Sequence, residues 1–541
     1  MNFFNIRFFI LIFIISSCSY FDKGKKVKKP NILLIVADDL GYSDLGCFGS
    51  EIHTPNIDNL SKEGIIFSNF HTSTLCAPSR AMLLSGNDNH VAGIGIQSFE
   101  SESFGYEGRL TDRIVTIPSL LRKSGYHTYI SGKWHLGSDL NSIPIRKGFE
   151  KSFVLLTGAG NHYSNRKVIE NYPDSSFSEN GKRIRWIDGN YSTDYYTDKI
   201  IEYIDSNKED KKPFFAFASY TSPHWPLQVD KKFSNNYKGK YDNGYDKLKM
   251  ERFDKLKDLK IIPQNAVLPN SHKRLKSWKD LSNEERKIES RKMELYAGMI
   301  ENLDFNIGRI IQYLKEIEEY KNTVIVFMSD NGAAAEDFYN NPVYGPYLKE
   351  NFTVDYNEMG SENSFISLGT GWAEASSAPF KYFKGFSTQG GIVSPIIISG
   401  YGINRRNQIS NDFITLLDIA PTFYDFANVS YPENIQYPLL GNTLKNYLLG
   451  TDIKIHNTDY VFGFEHSGNT FIRKGDWKLV NYKSPFNINN FELYNLKDDI
   501  GESTDLSSYQ NKKYNELIDE WNKFSTQNKI ILPSPYVDDI N

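Results

Sequence analysis

The feature that most constrains the fold of this chain is a short apolar segment that ends abruptly in polar residues, a pattern that occurs four times. The apolar segments occupy residues 31–37, 126–130, 213–218 and 323–328, and they lead into Asp38-Asp39, Gly132-Lys133-Trp134-His135, Ser222-Pro223-His224 and Ser329-Asp330-Asn331. Apolar segments of this length are typical of strands buried on both faces of a sheet. Helical patterns lie between them, which favours an α/β crossover architecture. Because ligands of such sheets bind beyond the carboxyl ends of the strands, we expect the four polar segments to form one site.

Length and composition allow one large catalytic domain and a smaller second domain. The chain has 541 residues, of which 40% are hydrophobic and 24% charged, and its formal net charge is -4. These values are ordinary for a folded soluble protein and do not indicate a nucleic-acid partner. We predict a catalytic domain over 30–430 and a smaller α+β domain over 431–541, which ends in a paired-strand pattern followed by a helix. Two stretches, 228–290 and 333–380, look like insertions, and the second has the low periodicity of loops over a site.

The N-terminal residues have the pattern of a targeting segment and do not belong to the fold. The apolar segment 8–15 is far too short to span a bilayer. It ends in Ile15-Ser16-Ser17-Cys18, which resembles a bacterial lipobox. We therefore predict a lipoprotein signal peptide over 1–17 and lipidation of Cys18, with an ordinary signal peptide cleaved nearby as the alternative. Residues 18–29 form a lysine-rich tether, and Ser19 favours the outer membrane, so the protein is predicted to be exported and to touch the membrane only through its lipid.

Acidic residues at two of the strand ends predict a cation site. They offer three carboxylates and an amide: Asp38, Asp39, Asp330 and Asn331. An oxygen-only set, with no His or Cys directly beside it, suits a hard cation such as Ca²⁺ or Mg²⁺. If the residues converge, a bound cation is needed to offset the repulsion among three carboxylates in a partly dry cleft. For one pair of aspartates alone, a turn or a helix cap would be the simpler interpretation, and the two matching strand ends favour the cation.

Cys76 is predicted to begin a helix. Pro78 suits the first turn, good helix formers follow, and Gly86 ends the pattern. At a helix N-terminus the dipole and the free N–H groups favour an anion or a developing oxyanion. An unmodified thiolate at Cys76 would be a reactive nucleophile, as in a cysteine hydrolase. However, no Cys-His-Asn arrangement is identifiable, and thiolate chemistry does not explain the cation site.

The segment Cys76-Ala77-Pro78-Ser79-Arg80 resembles the Cys-x-Pro-x-Arg signature of type I sulfatases, and other motifs of that family occur in the family's order. They are Asp38-Asp39, Gly132-Lys133-Trp134-His135-Leu136-Gly137, Ser222-Pro223-His224-Trp225-Pro226, Ser329-Asp330-Asn331-Gly332, Lys384-Gly385 and Arg473-Lys474-Gly475-Asp476. Residues 82–86, 90–95 and 371–376 resemble the bacterial arylsulfatases in particular. One departure is Gln389, where the family usually has Glu before two glycines. The resemblance spans nearly all of the chain after the tether. It implies an alkaline-phosphatase-like α/β fold, with a large mixed sheet flanked by helices and a smaller C-terminal α+β domain.

The resemblance also implies the role of each site residue. Cys76 would be oxidised to formylglycine by a formylglycine-generating enzyme, and the hydrated aldehyde would be the nucleophile. One divalent cation, most often Ca²⁺ with Mg²⁺ as the other choice, would be held by Asp38, Asp39, Asp330, Asn331 and the modified Cys76. Arg80 would steady the nucleophile, and Lys133 and Lys384 would neutralise the sulfate group. His224 would support or protonate the leaving oxygen. His135 would remove the proton whose loss expels sulfate.

The predicted function is the release of inorganic sulfate from a sulfated carbohydrate or an aryl sulfate. Two alternatives stay open. One is a phosphomonoester or phosphonate hydrolase of the same fold, against which Cys76 in the full signature argues. The other is a non-catalytic lipoprotein that binds sulfated glycans, against which the complete set of nucleophile, bases and cation ligands argues. The insertions 228–290 and 333–380 would select the sugar, but their residue pattern does not indicate which sugar.

Overall fold

A computed structural model of the chain describes residues 28–533 except 98, 99, 175 and 188. The predicted signal peptide at 1–17, the predicted lipidation site Cys18 and nearly all of the tether at 18–29 lie outside the described residues and stay predictions. Within the described part of the chain, no helix is both long and apolar enough to cross a bilayer.

The strands confirm the four predicted apolar segments. In chain order they are β1 Asn31–Ala37, β2 Gly64–Phe67, β3 Phe70–His71, β4 His127–Lys133, β5 Lys151–Leu155, β6 Phe177–Glu179, β7 Lys182–Ile184, β8 Phe214–Ser219, β9 Thr323–Ser329, β10 Ile396–Gly400, β11 Gln408–Ser410, β12 Ile414–Thr415, β13 Val461–His466, β14 Asn469–Lys474, β15 Trp477–Asn481 and β16 Glu492–Asn495. Every residue of β1, β8 and β9 is buried, as expected for strands covered on both faces.

A large mixed sheet of ten strands lies at the centre of the molecule, in the order β11-β2-β10-β9-β1-β8-β4-β5-β6-β7. Strands β9, β1, β8, β4 and β5 are parallel to one another. Strand β10 runs antiparallel to β9, and β6 and β7 form an antiparallel edge. The four strands that carry the predicted polar segments, β9, β1, β8 and β4, are therefore consecutive neighbours, and their carboxyl ends meet at one edge.

The helices connect these strands and flank the sheet. They are α1 Pro55–Glu63, α2 Cys76–Ser85, α3 Asn89–Ala92, α4 Ile117–Lys123, α5 Ser192–Asp205, α6 Lys231–Ser234, α7 Tyr245–Asp258, α8 Asn283–Glu316, α9 Gly345–Asn351, α10 Thr370–Ser376, α11 Gln389–Ile392, α12 Ile419–Ala427, α13 Lys445–Leu449 and α14 Asn511–Gln527. Helix α2 begins at Cys76 as predicted and ends at Ser85, and Gly86 caps it with a φ of 65°, which suits a glycine. Helix α8 begins after a capping box formed by Ser282 and Glu285.

The C-terminal part of the chain forms the predicted smaller α+β domain. Strands β13 to β16 form an antiparallel four-stranded sheet. The predicted hairpin is confirmed, because β14 pairs with β15 from Lys474 opposite Trp477 to Thr470 opposite Asn481. One face of this sheet packs on α14 through Leu517 and Trp521. Other residues of the sheet join the core of the large domain, so the two sheets share apolar contacts. The boundary at residues 430 and 431 stays a prediction.

Candidate active site

The polar segments after four neighbouring strands meet at the carboxyl edge of the large sheet. Ala37 at the end of β1 lies opposite Ser329 at the end of β9, and Val36 lies opposite Ser219 of β8. Ser219 is in turn paired with Gly132 of β4. Because the registers are aligned, the residues that come next along each strand reach the same small volume, as the sequence predicted.

The acidic residues form a buried cluster that two lysines join. The Lys133 Nζ donates to Asp38 Oδ2 at 2.7 Å, and the Lys384 Nζ donates to Asp39 Oδ2 at 2.8 Å. The Asn331 Nδ2 donates to Asp39 Oδ1 at 2.6 Å. These side chains, together with that of Asp330, are almost completely removed from solvent. The cluster therefore joins β1, β4, β9 and the segment after α10 in one polar centre.

Cys76 lies against this centre at the first residue of α2. Its Sγ is 3.2 Å from Asp38 Oδ1 and 3.7 Å from Asp39 Oδ1. Burial, followed by the neighbouring Asp38 carboxylate, raises the pKa of the Cys76 thiol well above its ordinary value. An unmodified Cys76 is therefore a neutral thiol at neutral pH, which argues against the cysteine-hydrolase alternative. The Sγ marks the position that an oxygen of a formylglycine side chain would take.

Arg80 lies one turn further along α2 and contacts the cluster through its guanidinium group. Its Nε donates to Asp330 Oδ2 at 3.0 Å, and its Nη2 is 2.9 Å from the same oxygen. Its Nη1 donates to the Lys133 carbonyl oxygen at 3.1 Å and to Ser219 Oγ at 2.6 Å. A guanidinium with this many contacts on three strand ends fixes α2, and with it Cys76, relative to the sheet edge.

Both predicted histidines lie at the site and are uncharged at neutral pH. Burial, followed by Lys133, lowers the pKa of His135 and that of His224 well below the ordinary value. The Nδ1–H of His224 donates to the Trp225 carbonyl oxygen at 2.7 Å, which directs Nε2 toward Asp39 Oδ2 at 3.5 Å. The Nδ1 of His135 is buried and has no hydrogen-bond partner among the described residues. Neutral imidazoles in these positions can accept or relay a proton.

The donor set could hold a metal ion, but the structure brings Cys76 and His224 beside the carboxylates, so the predicted set with no His or Cys beside it is not what forms. Ligand atoms of Asp38, Asp39, Cys76 and His224 all lie within 4.8 Å of one another. The Asn331 Oδ1 is buried and accepts no hydrogen bond from any described residue, as expected for a ligand atom. Burial raises the pKa of Asp38 to about 7, the Asp330 and Asp39 carboxylates add to the rise, and Lys133 and Arg80 oppose it. A divalent cation would offset the same repulsion and keep the carboxylates ionised.

The structure adds site residues that sequence reasoning missed. Glu336, in the loop after β9, places Oε1 3.8 Å from the Lys384 Nζ. His466, the last residue of β13, is near enough to contribute to the lowered pKa of His135. Gly158 passes so close to His135 that a Cβ on it would lie 2.7 Å from the ring. No motif marked these positions, because Glu336 and Gly158 lie in loops and His466 belongs to the C-terminal sheet, not to the four neighbouring strands of the large sheet.

The comparisons with known proteins agree with this geometry. The family model for sulfatases matches residues 30–429, and a model for the C-terminal part of N-sulphoglucosamine sulphohydrolase matches residues 381–529. An uncharacterised sulfatase of Schizosaccharomyces pombe is 39% identical over 94% of this chain and 96% of its own length. An arylsulfatase of Klebsiella aerogenes is 36% identical over 77% of this chain and 91% of its own length. A solved structure of a protein in complex with its substrate D-glucosamine-2-N,6-O-disulfate has the same fold, with a TM-score of 0.60 at 23% identity over 94% of this chain and 99% of that one. The chain thus belongs to the sulfatase family.

Proposed function

We propose that this sulfatase releases inorganic sulfate from a sulfated carbohydrate, through a formylglycine made from Cys76. The observation that carries the proposal is the position of the Cys76 Sγ, 3.2 Å from Asp38 Oδ1 in a buried centre that also holds two lysines and two neutral histidines. The sugar as substrate class is supported by the similar fold of the protein solved with a sulfated glucosamine. Aryl sulfates would serve as assay substrates.

The family implies a divalent cation and a formylglycine, and the residues of the site fit both. Asp38, Asp39, Asp330, Asn331 and the modified Cys76 would hold one divalent cation, which would polarise sulfate oxygens and lower the proton affinity of the nucleophile. Formylglycine, as its hydrate, would supply one hydroxyl to attack sulfur and a second whose deprotonation expels sulfate. Maturation by a formylglycine-generating enzyme is part of the proposal.

The chain's own side chains carry the rest of the chemistry. Lys133 and Lys384 place ammonium groups in a dry centre, where they neutralise negative charge on the sulfate group strongly. His224, with its Nδ1–H fixed on the Trp225 carbonyl, presents Nε2 to the site, where it would support the leaving oxygen and would protonate it once Nε2 has taken up a proton. His135, kept neutral by burial, would take the proton whose loss expels sulfate.

The function is tested by measuring released anions. Protein made in a host that performs the maturation is incubated with sulfated mono- and oligosaccharides, 4-nitrophenyl sulfate and 4-nitrophenyl phosphate, beside Cys76→Ala. We expect sulfate release that Cys76→Ala abolishes, with phosphate release far slower. Faster phosphate than sulfate release would support the phosphohydrolase alternative, and tight glycan binding without turnover would support the binding-protein alternative.

We further propose that the cation is Ca²⁺, because three carboxylates and an amide in one cluster offer more protein oxygens than Mg²⁺, which keeps several waters, usually takes. The melting temperature of chelator-treated protein should rise when Ca²⁺ is restored, and by more than with equal Mg²⁺. The rise should be lost in Asp38→Asn. An equal or larger rise with Mg²⁺ would contradict the assignment.

The export and anchoring predictions are proposals of the same kind. They are supported by the lipobox-like segment at 15–18 and the lysine-rich tether that follows. Fractionation of cells that make the natural chain should place the protein with the outer membrane, and Cys18→Ser should release it. A wild-type protein in the soluble fraction would contradict the anchor.

A further inference from the structure

Glu336 is a buried carboxylate at the site that neither the predicted cation ligands nor the predicted catalytic residues include. Its side chain is 9% exposed, and its Oε1 lies 3.8 Å from the Lys384 Nζ. Its Oε2 is buried without a hydrogen-bond partner in the part of the chain that the structure describes. Lys384 therefore faces two carboxylates, Asp39 at 2.8 Å and Glu336. A carboxylate with an unused oxygen beside a sulfate-binding lysine calls for an explanation, because burying it is costly.

The formal charges at the site suggest what Glu336 does. Arg80, Lys133 and Lys384 pair with the carboxylates of Asp330, Asp38 and Asp39, so these six charges balance. A divalent cation held by these residues leaves an excess of two positive charges. The Glu336 carboxylate reduces that excess to one. A sulfate monoester carries one negative charge, whereas a phosphate monoester carries close to two at neutral pH.

We infer that Glu336 is a specificity-determining residue, which makes the site complementary to a monoanionic sulfate ester and unfavourable for a dianionic phosphate ester of the same shape. The inference rests on the proposed sulfatase function and deepens it. The two esters are tetrahedral and nearly equal in size, so contacts alone separate them poorly. A fixed negative charge beside Lys384 penalises the extra charge of the phosphate group, because like charges in a desolvated site repel strongly.

The ionisation of Glu336 sets the conditions of the test. Burial raises the pKa of Glu336 above its ordinary value, while Lys384 and the N–H groups of Glu336 and Ala335 lower it. Measurements are therefore made at pH 8, where more of the carboxyl is ionised than at neutral pH. Three variants separate charge from shape. Glu336→Gln removes the charge in the same volume, and Glu336→Asp keeps the charge. Asp337→Asn removes a charge from the exposed neighbour and is the matched control.

Rates of 4-nitrophenyl sulfate and 4-nitrophenyl phosphate hydrolysis give the ratio of kcat/KM. Calorimetry of the cation-loaded protein with Cys76→Ala, which prevents turnover, gives the Kd values of methyl sulfate and methyl phosphate, monoesters that carry one and close to two negative charges at pH 8. Glu336→Gln should shift both ratios toward phosphate by about tenfold or more. Glu336→Asp should stay close to the wild type, and Asp337→Asn should not change either ratio.

Equal losses toward both esters in Glu336→Gln, with unchanged Kd ratios, would overturn the inference and leave Glu336 a purely structural partner of Lys384. If Glu336→Gln does not fold, as judged by its melting temperature, Glu336→Ala carries the same test. A wild type that releases sulfate neither from sulfated sugars nor from 4-nitrophenyl sulfate would instead contradict the proposed function itself, so the two failures are distinguishable.

Discussion

At the scale of single residues, the site combines fixed charges with neutral bases. Burial is the main cause of the lowered pKa values of His135 and His224, and the adjacent lysines add to it. The same lysines hold Asp38 and Asp39, so the groups that would bind sulfate also keep the histidines unprotonated. The sequence identified these residues because their types follow strand ends in a recognisable order. It could not identify Glu336 or Gly158, whose proximity to the site depends on how loops pack.

Gly158→Ala tests whether the position of His135 is set by this packing. The new Cβ would lie 2.7 Å from His135 Cε1 and 2.8 Å from Nε2, so the ring must move. If His135 has the proposed role, we expect kcat for 4-nitrophenyl sulfate to fall between about tenfold and a hundredfold, since small displacements of a group that moves a proton are costly. Gly160→Ala, in the same loop, meets only the Leu155 side chain at 3.2 Å and should keep most of the activity. Equal activity of the two variants would show that the ring position is not limiting.

At the scale of elements, the site lies at the carboxyl edge formed by β9, β1, β8 and β4. Periodicity and composition predicted these strands, and the resemblance implied the mixed sheet. The neighbour order could not be predicted from patterns, because β1 pairs with β8 and β9, which follow it by about two hundred and three hundred residues. The insertions also hold helices, α6, α7 and α9 among them, that weak periodicity did not reveal.

Gly132 shows how closely the strands approach at the site edge. Its φ is 117°, and a Cβ on it would lie 1.7 Å from the Ser219 carbonyl oxygen of β8. Gly132→Ala should destabilise the protein by about 3 kcal/mol or more, because backbone must move and a positive φ is strained. The measurement is the midpoint of urea unfolding. Gly125→Ala, which has a similar φ of 91° but open space around its Cβ, is the control for strain alone. Equal losses in the two variants would exclude the close approach as the cause.

At the scale of the whole molecule, the C-terminal sheet is tied to the catalytic domain by buried polar groups. The Lys478 Nζ donates to Glu502 Oε1 at 2.6 Å and to Gln389 Oε1 at 3.2 Å. Glu502 thus provides a carboxylate beside position 389, where the family usually has Glu and this chain has Gln. A second tie joins His90 Nε2 to Glu465 Oε2 of β13 at 2.8 Å. The hairpin was predictable from its turn, whereas these ties depend on residues far apart in sequence.

The contact between His90 and Glu465 predicts a pH dependence of stability. Burial lowers the pKa of His90, but hydrogen bonds to Asp88 and Glu465 outweigh it and raise the pKa from 6.5 to about 9. Because the folded value lies above the unfolded one, the contribution of the charged imidazole is complete below pH 6.5 and is lost as the pH rises through 9. Its size is on the order of 3 kcal/mol.

The free energy of urea unfolding should therefore differ most between wild type and His90→Gln at pH 6, and the difference should shrink by pH 10. His53→Gln, at an exposed histidine, should show no such trend. A difference that is constant across this range would contradict the charged state of His90.

The conversion of Cys76 to formylglycine is the central claim about this molecule, and mass spectrometry of the peptide that contains Cys76 tests it most directly. The protein is made in a host that performs the maturation, alkylated with iodoacetamide and digested. We predict that the Cys76 peptide carries the mass of an aldehyde in place of the thiol and reacts with a hydrazide, while Cys47 in the same sample is alkylated as an ordinary thiol. An alkylated, unmodified Cys76 in protein that releases sulfate at full rate would contradict the mechanism.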